Sequence, residues 1–599
     1  MSKTMRIPTR DQVKASDTWD LSSLFPSDAA WEKAFKRYER RGEGYRKFRG
    51  ALRDPEQLAA CLKFDAELDR LAERLGVYAL LKTAEDQGNS HYQGMMQRFE
   101  RAATRASEAA SFIRPELLGL SKSRLQELLD AEVLQPYRLM LQRMIRFKKH
   151  TLGKREEELL AMQGEMAQSP NRAFRQLHDT DMTFGFVTNE HGEKVELTNA
   201  TFMQLLISPK RSVRRNAFQK YYQQFAAHEN TLAATLGGSI LTDVYYARAR
   251  QYPSSLDAAL FPDNVPRSVY ENLIAAVHEA LPAVHQYYGV RRRKMRLKDI
   301  HHYDTYVPIL SELETRRTWK QAKQLVIKAL APLGNAYCDV LARGLNDGWC
   351  DPFPNQGKQS GAFSCGTYDG APYILMNYKP TVFDDVFTLA HEAGHSMHSY
   401  YSAKNQPFLY YDYTIFVAEV ASTFNEQLLT AHLLDKARDD KERAYLINRE
   451  LDGVRGTIVR QTMFAEFEKI THEMAESGEP LTVRVLKDVY RGLLEQYFGP
   501  DVEIDDELSL ECFRIPHFYR AFYVYKYATG LSAAISLAKR VLDGGDAELN
   551  DYLGFLRAGR SKDPLDLLRD AGVDMESPRP VKTALEHFEQ GVRELDELI

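Results

Sequence analysis

The segment "TLAHEAGHSMH" (388–398) holds three histidines and one glutamate within eight residues. His391 and His395 lie four residues apart with Glu392 directly after the first, in the pattern H-E-x-x-H. The chain has four His-Glu pairs, and only this one has a histidine at the required position downstream. On a helix, histidines one turn apart can bind the same metal ion, and the glutamate can activate a water molecule. The spacing therefore predicts a catalytic zinc helix.

The residues before and within this motif favour a helix. Thr381 can cap it, with Asp384 in the capping-box position three residues later. Asp384 and Asp385 suit the positive end of a helix dipole. The apolar body consists of Val382, Phe383, Val386, Phe387 and Leu389. A segment this apolar is not typical of a solvated helix that carries two surface histidines.

A catalytic zinc site usually takes three protein ligands, so a third must be found. His398 lies close in sequence, but successive turns of one straight helix spread their side chains along its axis and converge poorly on one ion. The metzincin pattern fails because it needs glycine at His398 and histidine at Tyr401. We therefore interpret His398 as a packing residue, with a role beside the zinc ligands or the substrate as the alternative.

The following segment, "TIFVAEVASTFNEQLLTAHLL", offers a better third ligand. Glu419, Ser422, Thr423 and Glu426 stand at i, i+3, i+4 and i+7, which makes one polar stripe on an otherwise apolar helix. A carboxylate there is costly unless it is paired or binds a metal. One glutamate could be the ligand and the other could orient a histidine N–H. Spacing alone does not separate Glu419 from Glu426, and a solvated helix face is the alternative.

Composition limits the class of protein. The 599 residues are 44% hydrophobic and 27% charged, which is ordinary for a globular protein. The net charge of −4 gives no basic field for nucleic acid or an anionic membrane, and no long apolar run predicts a membrane span. The five cysteines are scattered, and the first residues lack the apolar core of a secretory signal. These features predict a cytoplasmic protein without nucleic-acid or membrane partners, and they indicate no oligomeric state.

The predicted fold is mostly α, with a small β element. Long stretches repeat apolar residues every three to four positions, which is typical of amphipathic helices. Residues 181–198 read as a β-hairpin, and "APYILMNY" (371–378) reads as a strand. We place a boundary near residue 200, between an N-terminal helical lobe (1–200) with the hairpin near its end and a catalytic domain (201–599).

The chain resembles the M3 metallopeptidases, specifically the oligoendopeptidase F branch. The resemblance rests on "HEAGHSMH" followed, 24 residues after His395, by Glu419 in "FVAEVASTFNE". It extends to "TWDLSSLFPS", "GAFSCGTYDGAPYILMNY", "RIPHFYRAFYVYKYATG" and "GRSKDPLDLLRDAGVDMESP", so it spans nearly the whole chain.

The resemblance implies that His391, His395 and Glu419 bind one zinc ion and that Glu392 is the general base. It also implies a helical body of two lobes around a deep channel, which admits short peptides and excludes folded proteins. The strand at 371–378 would be an edge beside the site, where an extended substrate could add a strand.

In the family, a histidine and tyrosines from the region of "HFYRAFYVYKY" (517–527) donate hydrogen bonds to the oxyanion of the tetrahedral intermediate. A helical period would put Tyr519, Tyr523 and Tyr527 on one side and turn Tyr525 away. We therefore favour His517, Tyr523 and Tyr527, with plain ring stacking as the alternative for each tyrosine.

The expected function is a zinc-dependent endopeptidase that cleaves internal bonds of short oligopeptides, with Glu392 as general base on a zinc-activated water. One alternative is a carboxypeptidase or dipeptidyl carboxypeptidase on a related scaffold, which needs a group that captures the substrate's terminal carboxylate. Another is a non-catalytic peptide-binding protein, which predicts decay of the catalytic residues. All of them are present here.

Overall fold

The computed structural model describes residues 6–310 and 316–599, and most of them are helical. The first half of the chain forms α1 (Asp28–Gly42), α2 (Pro55–Glu85), α3 (Ser90–Ala110), α4 (Ile113–Leu118), α5 (Lys122–Asp130), α6 (Arg138–Arg146), α7 (Lys154–Ala167), α8 (Ser169–Gln176), α9 (Asn199–Leu206), α10 (Arg211–Ala227), α11 (Glu229–Ala249), α12 (Ser255–Leu260) and α13 (Arg267–Lys294). The second half forms α14 (Trp319–Ala329), α15 (Asn335–Asn346), α16 (Asp384–Asn405), α17 (Phe408–Tyr411), α18 (Ile415–Asp435), α19 (Asp440–Val454), α20 (Arg460–Ser477), α21 (Val483–Phe498), α22 (Tyr525–Asp543), α23 (Asp546–Ala558), α24 (Pro564–Asp570) and α25 (Arg579–Leu598). The prediction of a mostly α fold is confirmed.

The strands are short and fall into three small sheets. They are β1 (Phe186–Thr188), β2 (Lys194–Glu196), β3 (Ile300–His301), β4 (Cys350–Asp351), β5 (Phe363–Cys365), β6 (Tyr373–Leu375) and β7 (Val502–Glu503). Strands β1 and β2 pair antiparallel, which confirms the predicted hairpin, and β3 pairs parallel with β7. The third sheet has the order β4-β6-β5, with β4 parallel and β5 antiparallel to β6.

The chain divides into two compact units built from interleaved segments. Unit 1 comprises residues 1–154, 314–432 and 537–572, and unit 2 comprises residues 155–313, 433–536 and 573–599. Each unit has its own buried core. This division does not test a single boundary near residue 200, which stays a prediction.

Unit 1 contains the β4-β6-β5 sheet and helices α16 and α18. A hydrophobic cluster of its N-terminal helices includes Trp31, Phe35 and Leu75, and it also takes in Tyr373 and Leu375 of β6. The sheet is therefore fixed to the N-terminal helices from one side. From β5, the hydroxyl of Ser364 lies 2.8 Å from that of Ser396 on α16, which ties the sheet to that helix.

Unit 2 is organised around long helices and buried ion pairs. Helix α13 packs against α25 and α21, and α20 packs against α11 and α21. In its interior, Arg460 donates to the fully buried Glu511 at 2.5 Å, and Tyr490 donates to the same carboxylate at 2.6 Å. Across residues 6–310 and 316–599, no helix is long and apolar enough to span a membrane.

Candidate metal centre and active site

Helix α16 carries the H-E-x-x-H motif, and it begins at Asp384. The predicted Thr381 cap is wrong, because the residues before the helix form tight turns in which Val382 donates to the carbonyl of Lys379. The carboxylate of Asp385 accepts the backbone N–H of Lys379 at 2.6 Å and stabilises this entry. The acidic first turn of α16 therefore has two effects. Asp385 stabilises the turn before the helix by a hydrogen bond, and Asp384 and Asp385 interact favourably with the positive end of the helix dipole.

A glycine inside the motif lets α18 approach α16 closely. A Cβ atom on Gly394 would lie 2.4 Å from the carbonyl oxygen of Ala421 and 2.5 Å from the Cα of Ser422. The buried side chain of Asn425 adds a tie, because it donates to the carbonyl of Ala390 at 3.2 Å. The two helices therefore pack backbone against backbone at the level of the motif.

This packing brings His391, His395 and Glu419 together, with one ligand atom from each lying within 4.8 Å of the others. We call these three residues the metal centre. The Nε2 atoms of His391 and His395 lie 3.3 Å and 3.5 Å from Oε2 of Glu419. Tetrahedral zinc, with bonds of about 2.0–2.1 Å, separates its ligand atoms by about 3.3–3.4 Å. The donor set and its spacing therefore fit zinc.

Glu426 lies behind the metal centre, on the other side of His391. Its Oε1 is 2.7 Å from Nδ1 of His391. A carboxylate in this position accepts the Nδ1–H and leaves Nε2 as the free ligand atom. The structure thus gives the two glutamates of the polar stripe different places: Glu419 faces both Nε2 atoms, whereas Glu426 holds the outer nitrogen of one ring.

The electrostatics of this group favour a bound cation. Burial lowers the pKa of His391, but hydrogen bonds to Glu419 and Glu426 outweigh it and raise that pKa to about 10. Burial raises the pKa of Glu419, but hydrogen bonds from His391 and His395 outweigh this and hold the pKa well below its usual range. Carboxylates that stabilise a proton on a neighbouring imidazole equally stabilise a metal ion there.

Glu392 is buried on the same helix, only 7% exposed. Burial raises its pKa above the usual value, and the neighbouring His391 and His395 oppose that rise. A carboxyl group with a raised pKa beside a metal-binding group is suited to accept and return a proton.

His398 is 1% exposed, and its ring stacks on that of Tyr413 with centroids 3.8 Å apart. The ring of Phe555 packs against it at 5.1 Å. Burial lowers the pKa of His398 to about 3, so the ring is neutral. His398 does not belong to the metal centre, and its contacts are those of a packed aromatic ring.

The strand predicted at 371–378 is present as β6, but it is the central strand of its sheet and not an edge. The edge prediction is wrong because β4 and β5 cover both sides of β6. The backbone N–H of Ile374 donates to the carbonyl of Trp349 on the β4 side. The backbone N–H and C=O groups of Tyr373 and Leu375 therefore point to β5. By the same alternation, the backbone N–H and C=O of Ser364, opposite Ile374, lie on the outer side of β5.

In unit 2, His517, Tyr523 and Tyr527 form a group of three rings, with centroids 5.4–6.3 Å apart. We call it the aromatic cluster. Burial lowers the pKa of His517, and the cations of Arg175 and Arg520 lower it further, so its ring is neutral at neutral pH. A neutral imidazole and two phenols can all donate a hydrogen bond.

The helical period used to choose among the tyrosines is wrong for this segment. Residues 516–519 form a short 3-10 helix, a turn follows, and α22 begins only at Tyr525. Tyr519 is held away from the cluster, because its hydroxyl bonds to that of Thr235 at 2.7 Å and its ring stacks on Phe174. Tyr525 is buried, only 1% exposed. The turn, and not a helix face, brings Tyr523 to His517 and Tyr527.

Sequence reasoning missed two residues that shape the site. Gly394 lies in a variable position of the motif, and a glycine within a helix was the available signal. Ser364 lies in a segment with no strong strand pattern, and only the sheet order shows that its backbone N–H and C=O lie on the outer side of β5.

A helical body with a His-His-Glu group and a buried glutamate on the motif helix defines a metallopeptidase site of the H-E-x-x-H type. Comparison with known proteins agrees. Residues 204–587 match the family described as Peptidase family M3, and residues 116–184 match Oligopeptidase F.

Similar proteins cover the chain almost completely. Oligopeptidase PepF of Bacillus subtilis is 42% identical over 100% of this chain and 89% of its own length. Group B oligopeptidase PepB of Streptococcus agalactiae is 38% identical over 98% of each chain. The solved oligoendopeptidase-F of Enterococcus faecium superposes with a TM-score of 0.75 at 35% identity, over 95% of this chain and 99% of that one. The chain therefore belongs to peptidase family M3, in its oligopeptidase F branch, and is a metallo-oligopeptidase.

Proposed function

We propose that this protein is a zinc endopeptidase that hydrolyses internal bonds of short oligopeptides and binds one zinc ion per chain. The observation that carries the proposal is the metal centre, where one glutamate oxygen faces two imidazole nitrogens at 3.3 and 3.5 Å. The ligands are His391, His395 and Glu419. Zinc held there supplies a Lewis acid that polarises the scissile carbonyl and lowers the pKa of water.

Glu392 is the general base in this proposal. Its carboxylate takes a proton from the attacking water and passes it to the leaving amine. Burial supports this role, because it raises the pKa of Glu392 toward that of a group that can both accept and return a proton. Glu426 keeps His391 in the tautomer with its proton on Nδ1, so that Nε2 stays free to bind the metal.

The outer side of β5 is the proposed place for the substrate backbone. An extended peptide can add a strand to an open edge and needs no particular side chains for the main-chain bonds. Ser364 offers one N–H and one C=O there, and its side chain contacts Ser396, the residue after His395. This corrects the expected pairing with β6 and keeps the substrate next to the motif helix.

His517, Tyr523 and Tyr527 are the proposed donors to the oxyanion that forms during the reaction. Two observations support this assignment. The segment resembles that of the family, and the three rings lie close together within unit 2. Such donors act by stabilising charge that develops only in the transition state. A cytoplasmic location is proposed as well, because the five cysteines, all within the described residues, are free thiols.

The test replaces Glu392 with glutamine, which has nearly the same shape but cannot act as a base. Glu392→Gln is expected to keep its zinc and to lose about 10²–10⁴-fold in kcat on a quenched oligopeptide. Lys404→Gln, at the exposed end of the same helix, is the matched control and should keep both zinc and turnover. Normal turnover by Glu392→Gln would overturn the assignment of the base.

A peptide amidated at its C-terminus separates an endopeptidase from a carboxypeptidase. An endopeptidase cuts the amidated and free peptides at the same internal bonds. Cleavage that stops upon amidation would replace the proposed endopeptidase with an enzyme that reads the terminal carboxylate.

A further inference from the structure

The turn before Tyr523 contains a bulky residue in a left-handed backbone conformation. Phe522 has φ of 58°. This region is costly for an aromatic residue, and such strain persists only where the surroundings hold it in place. The ring of Phe522 is 3% exposed and packs against the rings of His472 and Tyr270, at 4.6 and 6.0 Å.

A buried acid holds the backbone of the same residue. Oε1 of Glu468, on α20, accepts the N–H of Phe522 at 3.1 Å. Glu468 is 2% exposed, and its Oε2 has no hydrogen-bond partner among the described residues. Burial raises the pKa of Glu468 well above its usual value; the hydrogen bond from the Phe522 N–H lowers that pKa, and the nearby Asp243 raises it.

A buried carboxyl is destabilising when one of its oxygens makes no hydrogen bond. An apolar residue of similar volume would avoid that cost. Glu468 also lies outside the metal centre and the aromatic cluster, so neither role accounts for it. What it does provide is one acceptor for the N–H of a strained residue that directly precedes Tyr523.

We propose that Glu468 is a positioning residue for Tyr523: it fixes Phe522 in its left-handed conformation and thereby sets the position of the Tyr523 side chain. The inference rests on the proposed role of Tyr523. The carboxyl group of Glu468 supplies the one acceptor that the N–H of Phe522 has at this turn among the described residues.

The first test compares three substitutions on α20. Glu468→Leu removes the acceptor, and Glu468→Gln keeps a carbonyl oxygen in its place. Glu466→Leu is the matched control, because Glu466 contacts His278 and Tyr497 instead of the turn. We expect Glu468→Leu to lower kcat by about 10–10²-fold with little change in KM, since a small misplacement of a catalytic group has effects of this size. Zinc content should stay normal, and Glu468→Gln and Glu466→Leu should keep the wild-type kcat.

The second test asks whether Glu468 acts through Tyr523. Tyr523→Phe alone should lower kcat by about 10²–10³-fold. Adding Glu468→Leu to Tyr523→Phe should cause no further loss, because the hydroxyl to be positioned is already gone. Losses that multiply, or a Glu468→Gln variant as impaired as Glu468→Leu, would overturn the proposal.

A further variant keeps the proposal testable if Glu468→Leu does not fold. Phe522→Gly keeps the N–H but removes the ring that locks the turn, and glycine adopts both signs of φ. It should lower kcat and again add nothing to Tyr523→Phe; a wild-type kcat would count against positioning. The same variants distinguish failure of the proposed role of Tyr523 from failure of the proposed role of Glu468. A fully active Tyr523→Phe would overturn the role of Tyr523. An impaired Tyr523→Phe together with a fully active Glu468→Leu would overturn only the role of Glu468.

Discussion

In unit 1, two carboxylates contact an imidazole of the metal centre, whereas in unit 2 a buried acid contacts the left-handed turn that precedes Tyr523 of the aromatic cluster. Glu419 and Glu426 contact His391 from two sides, with closest atoms at 3.3 and 2.7 Å. In unit 2, the carboxyl of Glu468 accepts the backbone N–H of Phe522, the residue directly before Tyr523. The difference matches the proposed roles, because carboxylates stabilise a bound metal ion, whereas a hydrogen-bond donor to an oxyanion needs above all a fixed position.

The comparison predicts that the metal centre fails most completely when its charge is removed. Glu419→Ala takes away one of the three proposed ligands and the carboxylate that faces both histidines, so zinc should be lost and turnover should fall to background. Metal analysis of the purified protein checks the first effect. Asp435→Ala, near the end of the same helix, is the control; a zinc-bound, active Glu419→Ala would exclude Glu419 as a ligand.

A smaller loss is expected when the helices that carry the ligands are pushed apart. The Cβ of Gly394→Ala meets the backbone of Ala421 and Ser422, and backbone cannot move aside as a flexible side chain can. We expect a loss of about 1–3 kcal/mol in unfolding free energy together with weaker zinc binding. Gly94→Ala in α3 is the matched control, since its Cβ meets nothing within 4 Å. Equal zinc affinity for both variants would show that close packing of α16 and α18 does not set the ligand spacing.

Weakening the outer contact of His391 should cost less. Glu426→Ala removes the acceptor of Nδ1–H, which commonly reduces metal affinity by about 10–100-fold. Zinc titration against a competing chelator measures this loss. Glu426→Gln keeps an oxygen acceptor and should fall between the wild type and Glu426→Ala. Complete loss of metal from Glu426→Ala would show that Glu426 is as important for metal binding as Glu419. It would contradict the different roles proposed for the two residues.

The smallest effect belongs to the third histidine of the motif. His398→Phe keeps a ring against Tyr413 and Phe555 and removes a buried nitrogen, Nδ1, that has no hydrogen-bond partner among the described residues. The unfolding free energy should change by less than about 1.5 kcal/mol, with zinc content and kcat unchanged. Loss of zinc upon this substitution would make His398 a candidate ligand.

Most of the metal centre could be predicted because it depends on the spacing of residues within one helix. His391 and His395 share a helix face whatever the rest of the chain does, and Glu392 follows from the same spacing. The choice between Glu419 and Glu426 was not local, since both lie on one stripe of α18. It took the approach of that helix at Gly394 to show which carboxylate faces the Nε2 atoms.

The errors arise where long-range pairing or backbone conformation decides. The strand at 371–378 has the expected type, but its place in the sheet depends on β4 and β5, which are only two and three residues long. The helical period failed between Tyr519 and Tyr523 because the chain turns at Phe522, whose side chain gives no sign of a left-handed conformation.

The sequence by itself determined the helical class, the H-E-x-x-H chemistry and the two glutamates from which a third ligand could come. These features follow from helical periodicity and residue type, which depend on residues that are close together in the sequence. Only the tertiary structure decided that Glu419 faces the histidines, that β5 is an outer strand of its sheet and that Glu468 accepts the N–H of Phe522 before Tyr523. Each of these depends on atoms that are distant in the chain and meet only when the helices and strands pack.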